Sequence, residues 1–426
     1  MNRRQFLTTT ALTAVGGASS GLWLPGRSMG ATLSGSERNF VFVFNHGGWD
    51  PTRVLAPTFD VAGVEMEQAA EPWSVGGLEL VDHRDRPSTR DFFEAWHDRC
   101  LIINGILVGS IAHNVCIQRV LTGSGSEGSS DWPAIIAAAM AQDFTLPHLV
   151  LGGPSFPGPL GEVVARAGQE GQLASLLTGE ILDGSDHPVV GPSPPSEGIV
   201  DRYLARRTAA RSEAASNATD QRLAGSIDAS FQRAMALKDF RYVMDLTGGD
   251  ELSLQIPLAV EALTLGMARC ITLGHPGDFS SAGWDTHGDN DEGQSGLWES
   301  LFDNLGQLMR LLDNTPGRYA PTLADETVVV VLSEMGRSPY VNSNAGKDHW
   351  PYTSAMLLGP GITGDRMVGG WRDGFKGEAV DLASGELDPS GTTLTAEAVG
   401  ATLLALADVD PGDHVPGYAP VEGVLL

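Results

Sequence analysis

The sequence predicts a three-layer α/β/α sandwich, and three observations predict it. Six short runs, NFVFVF (39–44), CLIIN (100–104), HLVLGG (148–153), CITLG (270–274), TVVVVL (327–332) and SAMLLG (354–359), are almost continuously apolar. That is the signature of strands covered on both faces. Between them, apolar residues recur at spacings of three and four, as on helices that lie on a sheet. Histidines and carboxylates then gather just after the runs, where α/β sheets bind their ligands. At 426 residues and 42% hydrophobic content, the chain can form one large domain with a full core.

The elements follow in order. Residues 1–31 carry Arg3 and Arg4 ahead of a short apolar run rich in Gly and Ala, with small residues near Ala31. This is the pattern of a cleavable twin-arginine export signal. The run is too short and too broken by Gly and Pro to span a membrane. Export of the folded chain to the periplasm or the exterior is expected, with no integral membrane segment after cleavage. The domain itself is expected over 36–426. Residues 252–269, 293–313 and 395–407 read as helices. In 293–313, Trp298, Leu301, Phe302, Leu305, Leu308, Met309 and Leu312 form the buried stripe. The Pro- and Ser-rich stretch 186–200 reads as a loop and 201–245 as polar helix. Residues 196–250 are therefore expected to form a helical insertion, either a lid or a peripheral packing unit.

Charge narrows the function. Asp plus Glu number 53 against 27 Lys plus Arg, a net charge of −26, and removing Arg3, Arg4 and Arg27 with the signal makes it more negative by three. Only Lys238, Lys347 and Lys376 are lysines. Nucleic acid and anionic membranes both require basic surfaces, so neither is an expected partner. The three cysteines, Cys100, Cys116 and Cys270, form no CxxC pair, and the odd number argues against a disulfide framework. Cys100 and Cys270 open apolar runs and read as buried strand residues.

The chemistry lies after the strands. Strand 39–44 runs into NHGGWDPTR, with His46 and Asp50. Strand 100–104 leads to His113, strand 270–274 to GWDTH with Asp285 and His287, and strand 327–332 to SEMGR with Glu334. The next loop ends in GKDHW, with Asp348 and His349. His83, His97, His148, His187, His275 and His414 lack such company and read mostly as loop or helix residues. Together, Asp50, His113, Asp285, His287, Glu334, Asp348 and His349 supply enough donors for two divalent ions of about four to six ligands each. The mixed N/O set suits Zn²⁺, Mn²⁺ or Fe²⁺. Arg337 could grip an anionic group bidentately, and Lys347 could neutralise a leaving oxygen. A salt bridge to surplus acid is the plainer role for both.

The motifs GGWD, GWDTH and SEMGRSP…GKDHWP, in that order over nearly the whole mature chain, resemble the exported bacterial proteins of domain of unknown function 1501. That family is similar to the alkaline phosphatase, sulfatase and phosphoglycerate mutase superfamily. The resemblance implies an alkaline-phosphatase-like fold, two metal ions and a small anionic ester as substrate. It matches Asp50 to the superfamily's first Asp, Asp285 and His287 to its Asp/His pair, Glu334 to the Asp of its SDHG motif, and His349 to its last His. In the superfamily a Cys or Thr nucleophile lies ten residues before the Gly of a (L/V)TG turn. Here that turn is Leu121-Thr122-Gly123, and His113 stands at the nucleophile position. The expectation is therefore an exported metal-dependent hydrolase of phosphate or sulfate esters. In that reading a metal-bound hydroxide attacks, and His113, Arg337 and Lys347 assist. The alternative is an exported binding or assembly protein that keeps the metal for structure. GPGITG (359–364) is a turn rather than a dinucleotide fingerprint, since no helix follows it.

Overall fold

The computed structural model describes residues 33–126, 128–167, 194–240, 251–276 and 283–426. The expected export signal, 1–31, lies outside the described residues. The remainder is organised on one eight-stranded sheet, with strands β1 (Asn39–Asn45), β2 (Cys100–Leu107), β3 (His148–Val150), β4 (Val164–Arg166), β5 (Cys270–His275), β6 (Thr327–Ser333), β7 (Tyr352–Leu358) and β8 (Arg366–Val368). Their spatial order is β8-β2-β7-β6-β1-β5-β3-β4. The central strand β1 lies parallel to both β5 and β6, with Phe42 opposite Thr272 on one side and Val330 on the other. All six expected strands are present. The run 148–153 is shorter than expected, and β4 and β8 were not anticipated because three residues carry too little period to read.

The sheet is mixed, because β7 runs antiparallel to both β2 and β6. No helix separates β6 from β7. The chain returns through a loop pinned by a two-residue ladder, Gly336–Arg337 against His349–Trp350. Without a crossover helix, an antiparallel return is the natural outcome.

Helices cover both faces. They are α1 (Pro87–Trp96), α2 (His113–Thr122), α3 (Trp132–Ala138), α4 (Pro194–Ala214), α5 (Ala218–Phe240), α6 (Leu252–Thr264), α7 (Asn290–Asn314) and α8 (Ala396–Leu406). Side chains alternate along β1. Phe40, Phe42 and Phe44 pack with Val120 of α2, Ile136 of α3 and Leu403 of α8. Val41 and Val43 pack with Phe92 of α1, Ile256 of α6 and Leu301 of α7. Each fully buried Phe contributes roughly 1.5–3 kcal/mol, so the period-two alternation fixes which residues face each helical layer. The fold is the expected three-layer α/β/α sandwich.

Two expectations shift at helix ends. Residues 194–200, expected as loop, form the start of α4, because Pro is tolerated in the first turn, where its missing N–H has no intrahelical partner. The helix expected over 252–269 stops at Thr264. Within the expected insertion, α4 and α5 form a hairpin, and residues 241–250 lie outside the described residues. Cys100, Cys116 and Cys270 are all free and buried. His148 and His275 are not loop or helix residues. Both are buried strand residues, and burial lowers each imidazole to about 4.

Candidate metal centre

Strands β1, β2, β5 and β6 run in one sense, so their carboxyl ends share one edge of the sheet. Antiparallel β7 starts at that same edge. This topology brings the loops bearing Asp50, His113, Asp285, Glu334 and His349 together, although they are far apart in sequence. Tryptophan sets their register. Trp49 of GGWD and Trp284 of GWDTH are both fully buried. Trp49 stacks on Trp298 of α7 at 4.8 Å, and Trp284 meets the edge of Trp298 at 5.1 Å. The loops also touch through backbone. A Cβ at Gly47 would stand 2.5 Å from the Asp285 nitrogen, and φ there is +119°, so only glycine fits.

Among the described residues, His113, Asp285 and His349 offer ligand atoms within 4.8 Å of one another. His287 joins them, with Nε2 2.9 Å from His349 Nε2 and 3.2 Å from Asp285 Oδ1. His349 Nε2 stands 3.1 Å from the same oxygen, and His113 Nε2 stands 3.3 Å from Asp285 Oδ2. Asp285 is thus the hub.

The outer partners fix how the rings present themselves. His349 Nδ1 lies 2.7 Å from the Ile111 carbonyl oxygen, His287 Nδ1 3.2 Å from Asp348 Oδ1, and His113 Nδ1 2.9 Å from Glu334 Oε1. Each oxygen accepts, so each Nδ1 carries the proton and each Nε2 of a neutral ring presents a lone pair inward. The Nε2 of His113 is buried and has no hydrogen-bond partner. With all three rings neutral, three lone pairs would face one carboxylate with no donor among them, and a divalent cation would satisfy all of them. Such outer-shell acceptors are what orient imidazoles on metals. The donor set therefore fits a cation of the Zn²⁺, Mn²⁺ or Fe²⁺ type.

Electrostatics agree. Without a cation, hydrogen bonding to Asp285 and Glu334 raises His113 to about 9, so its Nε2 holds a proton against Asp285, and a bound cation would take that proton's place. Burial works against ionising Asp285, but His113, His349 and Arg337 outweigh it and hold that carboxyl well below the usual range.

The remaining expected residues are placed differently. Glu334 is fully buried behind His113, where it also accepts from the Gly47 N–H at 2.8 Å. Asp348, 57% exposed, stands behind His287. Asp50 is fully buried and committed elsewhere. Its Oδ1 accepts from the Thr52 hydroxyl at 2.6 Å, and its Oδ2 from Arg53 Nε at 3.1 Å, Asn290 Nδ2 at 3.0 Å and Lys347 Nζ at 2.9 Å. Burial opposes its ionisation, and Lys347 and Arg53 reverse that and hold it well below the usual carboxylate range. Lys347 is fully buried against Asp50, with no face toward solvent. Arg337, equally buried, donates to the carbonyls of Gly47, Gly48 and Lys347 and to Asp285 Oδ1 at 2.6 Å. It binds loop to loop.

Several supporting residues are brought in by the fold alone. Arg53 extends from Asp50 to Glu67 and Asp291, and Arg86 joins Glu67 from the other side. Gln294 of α7 accepts from the Asp50 N–H at 2.9 Å and donates to the Trp284 carbonyl at 2.9 Å, joining the two WD loops. Arg53, three residues after Asp50, was the one legible signal. Arg86 and Gln294 gave none, because nothing local marks them.

Family comparison matches residues 37–385 to the family described as "Protein of unknown function (DUF1501)". The chain belongs to that family. No curated protein matches it. Among solved structures it is similar to the lipoteichoic acid synthase LtaP from Listeria monocytogenes, at 8% identity and TM-score 0.41, covering 92% of this chain and 77% of that one. It is also similar to the PsFucS1 sulfatase from Pseudoalteromonas sp., at 9% identity and TM-score 0.39, covering 92% and 76%. A third is a protein in the alkaline phosphatase superfamily from Vibrio parahaemolyticus, at 10% identity and TM-score 0.37, covering 89% and 68%. Likeness at this level carries no argument about activity. Among the described residues, no helix is long and apolar enough to cross a membrane.

Proposed function

We infer that this DUF1501 protein is an exported, metal-dependent hydrolase of phosphate or sulfate esters, with one divalent cation held by His113, Asp285, His287 and His349. The observation that carries this reading is the orphaned Nε2 of His113, facing Asp285 beside two further imidazoles whose Nδ1 atoms are already engaged. A single cation fits better than two, since Asp50 already has Lys347 and Arg53 as counter-charges.

A bound cation would supply Lewis acidity, polarising an ester oxygen and lowering the pKa of water. The chain does the positioning. Glu334, Asp348 and the Ile111 carbonyl orient the three rings, and Arg337 holds the Asp285 loop against Gly47 and Gly48. His287 is 48% exposed and Asp285 29%, so the face is open to a ligand from solvent. Export rests on the Arg3–Arg4 signal pattern, and periplasmic fractionation with N-terminal sequencing of the mature chain tests it.

One observation favours the non-catalytic alternative: Arg337 and Lys347 are both fully buried, so neither offers a free charge to a substrate anion. Metal analysis of the purified protein, followed by a panel of phosphate monoesters, phosphodiesters and sulfate esters with Mn²⁺ or Zn²⁺, separates the two. About one equivalent of metal with turnover on one ester class, both lost in Asp285→Asn, supports the hydrolase. Bound metal without turnover on any ester supports the structural role. Absence of metal after reconstitution overturns both.

A further inference from the structure

The charges around the site discriminate among esters, and what they select rests on the hydrolase reading above. Behind the site lies a buried ion network in which Lys347, Arg53 and Arg86 face Asp50, Glu67 and Asp291. Lys347 meets Asp50 at 2.9 Å, Arg53 meets Glu67 and Asp291 at 2.5 Å each, and Arg86 joins Glu67. Three cations oppose three carboxylates, so the network is neutral and lends no charge to a ligand. At the site itself the carboxylates Asp285, Glu334 and Asp348 stand with one fixed cation, Arg337. The imidazoles, neutral once they hold an ion, add no charge. A single divalent ion therefore brings the site to neutrality and no further.

The segments that carry the ligands are apolar or acidic where they meet solvent. Ile111, whose carbonyl accepts from His349, is 55% exposed. Tyr340 and Val341 are 51 and 41% exposed, and they precede Asn342, which donates to the His287 carbonyl at 3.1 Å and to Asp348 Oδ1 at 3.2 Å. Asp289 and Glu292 lie at the start of α7, just after His287. Arg119 of α2 donates to the carbonyls of Val108 and Gly109, and its position is about 9 Å along the helix from His113. The whole chain carries −26. A phosphate monoester has close to two negative charges above about pH 6, whereas a phosphodiester or a sulfate monoester has a single one. The second charge would enter a neutral site on an acidic protein with no counter-charge waiting for it. In a diester an uncharged alkyl or aryl group stands in its place and suits the apolar surroundings.

We propose that the site takes monoanionic esters, a phosphodiester or a sulfate monoester, and discriminates against dianionic phosphate monoesters. Isothermal titration of the metal-loaded full chain with dimethyl phosphate and with methyl phosphate, at about pH 8, compares two ligands of similar shape that differ by one charge. Dimethyl phosphate should bind about tenfold more tightly. Ile111→Lys keeps the backbone carbonyl on His349 and adds a cation at an exposed position, so it should shrink or reverse that preference, with metal content unchanged. In parallel, kcat/KM on methyl p-nitrophenyl phosphate or on p-nitrophenyl sulfate should exceed that on p-nitrophenyl phosphate by about tenfold, and the better of the two tells a diester site from a sulfate site. Tighter binding of methyl phosphate, or a preference that Ile111→Lys leaves untouched, overturns the proposal while the hydrolase reading stands. Metal-loaded protein that binds neither anion and turns over no ester overturns both.

Discussion

Asp50 and Asp285 follow tryptophan in near-identical local sequence, GGWD and GWD, and their tryptophans pack on the same α7 side chain. Their fates diverge. Asp50 is fully buried and neutralised by covalently fixed cations, Lys347 and Arg53. Asp285 is partly exposed, and three of its neighbours are imidazole nitrogens that can give a lone pair to a metal. In this chain both WD motifs place a carboxylate at the edge of the sheet, and the partners' chemistry separates the one that braces the fold from the one proposed to hold an ion.

That contrast can be broken by substitution. Asp50→Ala leaves Lys347 buried without its counter-charge and takes from Arg53 one of three carboxylate partners, Glu67 and Asp291 remaining. A loss of about 3–5 kcal/mol in urea unfolding is expected, with metal per folded chain unchanged. Loss of metal at unchanged stability would reverse the roles of the two carboxylates. Asp285→Asn keeps an acceptor for Arg337 but removes the central charge. Metal affinity, read by competition with a chelator, should fall at least about a hundredfold, beyond the range for outer-shell partners. Glu334→Gln keeps the bulk behind His113 and weakens its hold on the Nδ1 proton, so a loss of about ten- to a hundredfold is expected by the same readout.

The smallest effect sharpens the comparison through pH. Asp50 has its carboxyl pKa lowered in the folded state, so below the unfolded value the unfolded chain binds the proton more readily. Its contribution to stability is complete above about pH 4. It is lost as pH falls through the lower folded value. Asp50→Asn should therefore lose less stability than the wild type between pH 4 and pH 2.5, measured as the shift in urea midpoint. Equal slopes would mean that Lys347 and Arg53 do not stabilise the ionised form.

Much of this was legible in the residues. The alternation of β1 and the three-four spacing of α7 record burial locally, so layers and strands could be read directly. The edge-clustered His, Asp and Glu could be listed for the same reason. The list did not rank them. Glu334 and Asp348 look like ligands in sequence but stand behind histidines, and Lys347 looks like a catalytic ammonium but is the counter-ion of Asp50. Ring orientation depends on acceptors such as the Ile111 carbonyl, which no residue type reveals.

The sequence alone determined the α/β/α layering, the family and the set of loops that meet at one sheet edge, because hydrophobic period and donor type are properties of neighbouring residues. Only the tertiary structure decided the antiparallel entry of β7, the pairing of Lys347 with Asp50, and the convergence of three imidazole nitrogens on Asp285. Those depend on Coulomb and hydrogen-bond partners brought within about 3 Å from distant parts of the chain, and charge pairing acts through space rather than along sequence.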